Sequence, residues 1–226
     1  MPLLLSLETS TRMCSVALSE NGRLLGLKEL GGEYSHAENL TLFIEDVFLT
    51  ANRKIGELDA VAISKGPGSY TGLRIGVSTA KGLCFALGIP LIGVGTLEAL
   101  FSAFQTLAKM DEDVKVFCPM LDARRMEVYC QLFDETGNEI EPVSAKIIVA
   151  DSFLNHLEKG KVVFFGEGAM KCREMIKHPN AVFVDDIVPS AKYMIRLAEQ
   201  RFEKKVFEDV AYFEPFYLKE FHTGAK

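Results

Sequence analysis

The sequence has no tryptophan and only four histidines, and no two of those (His36, His156, His178, His222) stand four residues apart. A helix therefore cannot present the His-x-x-x-His pair that grips zinc in many metalloproteins, and a metal centre is not expected. Cysteine is sparse and unpatterned: Cys14, Cys84, Cys118, Cys130 and Cys172 are odd in number and never spaced as Cys-x-x-Cys. That excludes a disulfide framework and fits reduced thiols in a cytosol. Positive charge is short as well, with 25 Lys and Arg against 31 Asp and Glu and a formal net charge of −6. Diffuse attraction to nucleic acid phosphates is absent, and no local basic patch replaces it. Long apolar runs are missing: none approaches the roughly 18 residues that a membrane-spanning helix needs. The leading Leu3–Leu5 run meets Glu8 before the core of a secretory signal could form. A cytoplasmic protein without membrane contact is the expectation.

What remains is globular. The 226 residues are 48% hydrophobic and 25% charged, average values for a folded chain long enough for one large domain or two small lobes. Strands are predicted at Leu3 to Leu7, Cys14 to Leu18 and Arg23 to Leu30, with Asn21-Gly22 as a hairpin turn because both residues tolerate positive φ. From Ser35 the period becomes helical, with Leu40, Phe43, Ile44, Val47 and Ala51 on one face. Leu58 to Ser64 predicts a strand, Arg74 to Leu87 a helix, Pro90 to Val94 a strand, and Thr96 opens a helix to about Leu107. This β-β-β-α-β-α-β-α order describes an α/β sheet with a leading antiparallel meander. The chain turns polar near Ala108 to Val114, which places a boundary between a lobe of residues 1–110 and one of 111–226. In the second, strands are expected at Lys115 to Leu121, Glu127 to Phe133, Lys146 to Val149, Lys161 to Phe165 and Ala181 to Val184. Helices are expected after Asp151, over Gly168 to Lys177, and from Ser190 to about Lys204. The Phe- and Tyr-rich segment beyond Lys204 is expected to fold back on a lobe.

The sharpest motif is the glycine-rich loop Gly66 to Gly72. Glycines let backbone N–H groups approach an anion, and the helix that follows carries partial positive charge at its start. Its spacing matches neither a Walker A loop, which needs Gly-Lys before Ser or Thr, nor the dinucleotide fingerprint. By itself the loop reads as a strand-to-helix turn rather than a phosphate cradle. The helix beyond it carries Gly72, Gly76 and Ala80 at i, i+4 and i+8. Interior glycine costs a helix about 1 kcal/mol relative to alanine, so close backbone approach must compensate, within this chain or against another. On the preceding helix, Leu42 and Leu49 form a second apolar stripe opposite the first, which points to a partner surface. Catalytic constellations are thin: Ser69 has Pro67 where a nucleophile elbow needs a glycine two residues before the serine, and Asp122 in Asp122-Ala123-Arg124-Arg125 is expected to pair with its own arginines.

Taken together, several segments closely resemble the bacterial TsaB (YeaZ) family over nearly the whole chain. They are Leu7-Glu8-Thr9-Ser10 before Cys14-Ser15-Val16-Ala17-Leu18, the run Lys65-Gly66-Pro67-Gly68-Ser69-Tyr70-Thr71-Gly72-Leu73-Arg74-Ile75-Gly76, Thr96-Leu97-Glu98-Ala99-Leu100, Asp122-Ala123-Arg124-Arg125-Met126-Glu127-Val128-Tyr129 and Pro215-Phe216-Tyr217-Leu218. The resemblance implies an α/β chain of the actin/hexokinase/Hsp70-like (ribonuclease H-like) fold with two lobes. It also implies a non-catalytic subunit required to make threonylcarbamoyladenosine beside the tRNA anticodon. Such a subunit would bind and stabilise the catalytic paralogue TsaD, with a TsaE-like ATPase assisting, a homodimer when alone, and tRNA reached indirectly. Thr96 and Leu100 occupy the positions at which TsaD-like sequences place two metal-binding histidines. The resemblance puts the partner interface on the helices that begin near Ser35 and Thr71, which with the two stripes nominates Ser35, His36, Leu42, Leu49, Tyr70, Gly72, Gly76 and Ala80. Glu8, Thr9, Ser10, Gly66 and Gly68 would form a vestigial phosphate turn, with Glu8 where the family commonly has Asp. No cofactor is implied. The alternative from the enzyme class is an ATP-dependent small-molecule kinase of the same fold, for which Glu8 and Asp122 are the available carboxylates.

Overall fold

Every side chain of Leu3–Glu8 (β1) is buried, and the pleat sorts them: Leu3, Leu5 and Leu7 enter one core while Leu4 enters another on the opposite face. A strand covered on both sides sits mid-sheet. Met13–Glu20 (β2) pairs with it antiparallel, and Arg23–Gly31 (β3) pairs with β2 across a turn in which Asn21 and Gly22 take φ of 48° and 70°. The computed structural model describes residues 1–32, 35–109 and 113–219. Ser35–Ala51 (α1) buries Leu40, Ile44, Val47 and Phe48 against the odd-numbered face. Ala60–Gly66 (β4) then runs parallel to β1, Tyr70–Leu87 (α2) crosses back beside α1, and Leu91–Gly95 (β5) runs parallel to β4. The sheet order is β3-β2-β1-β4-β5.

Thr96–Leu107 (α3) leads away from this sheet. The same connectivity then repeats. Val114–Asp122 (β6), Glu127–Phe133 (β7) and Glu139–Ile147 (β8) form an antiparallel meander, after Leu154–Leu157 (α4) the strand Lys161–Phe165 (β9) joins β6 parallel, and after Glu167–Met170 (α5) Ala181–Val184 (β10) joins β9. Read from β8, the order β8-β7-β6-β9-β10 duplicates that of the first sheet. Two ribonuclease H-like sheets of this topology in one chain are the actin/hexokinase/Hsp70-like class. Sheet two has its own core, built from Cys118, Met120, Val128, Cys130, Leu132 and Phe164.

The last helix, Ala191–Glu203 (α6), buries Met194 and Ala198 against Leu4, Ala60, Ala62, Ile92 and Val94 on the even-numbered face of sheet one. The chain accordingly forms two compact units: residues 1–99 together with those from Pro189 onward, and Leu100–Val188. This departs from the expected division at 110/111, because the apolar stripe of α6 fits the first sheet and contiguity along the sequence does not decide where a helix packs. Three element boundaries also shift. Ser69 caps α2, so the helix starts four residues before Arg74. Strand β8 begins at Glu139, recruited by hairpin pairing with β7 despite a polar, half-buried sequence. Helix α5 stops at Met170 instead of continuing to Lys177.

Candidate functional site

The turn after β1 is sealed by its own atoms. Glu8 has no solvent exposure, and its Oε1 accepts from the Ser10 backbone N–H at 2.6 Å and from the Ser64 hydroxyl at 2.9 Å. Burial pushes the Glu8 carboxyl above its ordinary pKa, against the opposing pull of hydrogen bonds from Ser10, Ser64 and Thr9. The glycine loop lies directly on this turn: the Ser69 N–H donates to the Ser10 carbonyl at 2.6 Å, the Gly72 N–H to Ser69 Oγ at 3.2 Å and the Leu73 N–H to the Ser69 carbonyl at 2.8 Å. These amides of the loop and the turn are spent inside the chain. Glu8, Thr9, Ser10, Gly66 and Gly68 do come together, but as a closed joint. A Cβ on Gly68 would meet the Ser10 carbonyl oxygen at 2.2 Å, and one on Gly66 would meet the Phe216 carbonyl oxygen at 2.7 Å.

The small-residue stripe resolves to the internal alternative. Gly72, Gly76 and Ala80 are buried on the inner side of α2, where a Cβ on Gly72 would stand 2.1 Å from the Thr9 carbonyl oxygen and one on Gly76 2.2 Å from Thr9 Oγ1. Their nomination as partner contacts is therefore corrected: glycine lets α2 lie against the β1 turn, and these residues face no partner. His36 also turns inward, its Nε2–H donating to the Thr11 carbonyl at 2.7 Å and tying the start of α1 to the same turn. Ser35 opens α1.

Leu42 and Leu49, in contrast, are outside, 57% and 71% exposed. The outward side of α2 carries Thr71, Arg74, Ser78, Gly82 and Phe85; Phe85 is 85% exposed, and no atom lies within 4 Å of a Cβ built on Gly82. Both helices sit on the same face of the sheet, so their outward stripes make one surface. Sequence reasoning overlooked this stripe of α2, although Thr71, Ser78 and Phe85 recur every seven residues.

At the start of α2, Tyr70 is half-buried beneath the segment 206–219, which lies along the first unit as an irregular strap. The Phe216 N–H donates to the Lys65 carbonyl at 2.7 Å, and Lys81 Nζ donates to the carbonyls of Ala211 and Phe213 at 3.0 and 2.9 Å. Val210 and Phe213 pack on the first core. The strap and Lys65 line an open cavity of about 620 Å³ to which no residue of the Glu8 turn contributes.

In the second unit Asp122 is held by a backbone amide and a lysine. Its Oδ1 accepts from the Arg124 backbone N–H at 2.8 Å and it forms an ion pair with Lys171. Arg124 and Arg125 both hold positive φ in the turn that follows it. Thr96 and Leu100 are both fully buried. Among the described residues no group of three or more His, Cys, Asp or Glu could hold a metal ion, and no helix is long and apolar enough to cross a membrane.

A family model described as TsaD, tRNA N6-adenosine threonylcarbamoyltransferase, matches residues 32–224. The tRNA threonylcarbamoyladenosine biosynthesis protein TsaB of Escherichia coli K12 is 31% identical over 96% of this chain and 94% of its own length. The chain belongs to the TsaB branch of that family. The TsaB of Haemophilus influenzae is 29% identical over 99% of this chain and 96% of its own. Among solved structures, YeaZ from Pseudomonas aeruginosa superposes with a TM-score of 0.77 at 26% identity, covering 96% of this chain and all of that one. A tRNA N6-adenosine threonylcarbamoyltransferase from Anoxybacillus flavithermus is 33% identical over a shorter stretch, 47% of this chain and 36% of that protein.

Proposed function

We propose that this chain serves tRNA threonylcarbamoyladenosine biosynthesis as a non-catalytic subunit that docks a TsaD-type catalytic paralogue through the outward face of α1 and α2 and stabilises that partner's competent state. One observation carries the reading. Leu42, Leu49 and Phe85 stand exposed on two helices braced rigidly from beneath, with Ser78 and Gly82 on the same side of α2 to let another helix come close. A surface of this kind binds by burying apolar area, and it biases the partner only if it prefers one of the partner's conformations. The tRNA is reached through the catalytic subunit, a TsaE-like ATPase acts on the assembly, and the same face supports self-association when the paralogue is missing. A resident cytoplasmic protein fits this work.

The kinase reading draws no support from the geometry, since Glu8 is sealed and Asp122 is engaged by Lys171. The experiment is Leu42→Asp combined with Leu49→Asp. Both positions are solvated in the free chain, so its circular dichroism and unfolding are expected to stay unchanged. Burying two unpaired carboxylates in a complex costs on the order of several kcal/mol, so co-purification with the TsaD homologue of the same organism should be lost, together with tRNA modification in reconstituted assays. An unchanged pull-down overturns the docking face, and full modification in the absence of this chain overturns the function.

A further inference from the structure

We infer that Arg74 is a preorganised receptor for a carboxylate on the docking face, taking an Asp or Glu side chain of the TsaD-type partner. The inference rests on the docking reading above and adds the residue that sets its specificity. An exposed arginine is ordinarily a mobile side chain whose ordering opposes binding. Arg74 is already held. Its guanidinium carbon lies 4.2 Å from the centroid of the Tyr70 ring, one helical turn back on α2. The Tyr217 ring packs on Tyr70 at 4.8 Å between centroids, and the Tyr217 hydroxyl accepts from Arg74 Nε at 3.4 Å. Tyr217 is itself delivered by the strap, which the Phe216–Lys65 and Lys81 hydrogen bonds fasten to the first unit.

These two contacts of the exposed side chain use Nε and one face of the guanidinium, and neither engages the terminal nitrogens, the pair with which an arginine can meet a carboxylate through two parallel hydrogen bonds. Among the described residues no carboxylate forms an ion pair with Arg74; Glu214 of the strap is near enough to raise the guanidinium pKa, as the smallest contributor after the Tyr217 hydrogen bond and the two tyrosine rings. Charge on the face points to the occupant. The outward side of α2 has no acidic residue, whereas α1 exposes Glu38 and Glu45. A partner of the same fold that crosses this face with its own first helix against α2 brings carboxylates of that kind to Arg74.

The test measures affinity of the full chain for its TsaD homologue, by calorimetry at several salt concentrations, for Arg74→Ala, Arg74→Lys and Tyr217→Phe. Arg74→Ala should unfold within about 2 °C of the parent because the side chain is exposed, yet bind about thirtyfold more weakly or worse, with a shallower dependence on salt. Arg74→Lys should recover little, since a point charge neither stacks nor forks. Tyr217→Phe, which keeps the ring and removes the acceptor of Nε, should fall between. Parent-like affinity of Arg74→Ala, or full recovery by lysine, overturns the inference. So does a loss of self-association in Arg74→Ala with the TsaD complex intact, which would assign the receptor to a second copy. The Leu42→Asp with Leu49→Asp variant separates the two claims. If it abolishes the complex while Arg74→Ala does not, the receptor alone is wrong; if it too binds normally, the docking face is wrong.

Discussion

Alanine placed at two glycines of the same helix should move stability in opposite directions. At Gly82 nothing lies within 4 Å of the new methyl group, so the helix propensity of alanine is gained without a clash, up to about 1 kcal/mol. At Gly72 the new Cβ would stand 2.1 Å from the Thr9 carbonyl oxygen and 3.3 Å from His36 Cδ2. The oxygen belongs to backbone and cannot swing aside, so helix and turn must part by about 1 Å before the contact is tolerable. That separation pulls on the 2.6 Å bond from the Ser69 N–H to the Ser10 carbonyl and on the 2.7 Å bond from His36 to Thr11. Overpacking against a rigid wall costs about 3 kcal/mol at the upper end of its usual range. Less the propensity gain, Gly72→Ala should destabilise by about 2 kcal/mol. For a chain of this length that is a fall of roughly 4 to 8 °C in Tm, against a rise of roughly 1 to 4 °C for Gly82→Ala. Gly76→Ala should fall between the two, because its nearest neighbours are Thr9 Oγ1 at 2.2 Å and Ile63 Cδ1 at 2.9 Å, both ends of side chains that can shift. Thermal and urea unfolding followed by circular dichroism measure all three. A Gly72→Ala protein as stable as its parent would refute the inward packing of the stripe, and with it the argument that only the other side of α2 is free for a partner.

Glu8→Gln tests the sealed turn through pH. The folded carboxyl holds its proton more tightly than the ordinary value of 4.5 allows, so its stabilising contribution is present below that value and is lost as pH rises through the raised folded pKa. Glutamine does not titrate. Its stability relative to the parent should therefore increase from pH 5 to pH 8, and parallel curves from urea midpoints would show that Glu8 is not desolvated. The thiols test the closed cores: burial pushes Cys14, Cys84 and Cys172 up to about 11, and all five cysteines are buried. At pH 8 an aromatic disulfide reagent should label none within minutes until denaturant is added; rapid labelling of the native chain would contradict the packing of either core.

Much of the fold was legible because its signals are local. The Asn21-Gly22 hairpin, the helical period from Ser35 and the cap at Ser190 each depend on residues a few positions apart, and each stands where expected. Strand β8 was read too short because Glu139 to Ala145 has neither apolar alternation nor β-branched enrichment; its state follows from pairing with β7. The outward leucines of α1 were legible for the same reason as its core face, since one period assigns both sides of a helix. The direction of the glycine stripe was not, because small residues permit close approach without naming what approaches.

The sequence alone determined the elements, their order, the family and the lack of a metal-ligand pattern, all of which rest on residue type and short spacing. Tertiary structure decided the rest. It carried α6 back to the first sheet, set Thr9 rather than another molecule against Gly72, and brought Tyr217 to Arg74 across 143 residues of chain. Contacts of that range depend on which surfaces fit once the sheets have formed, and no local pattern encodes the fit.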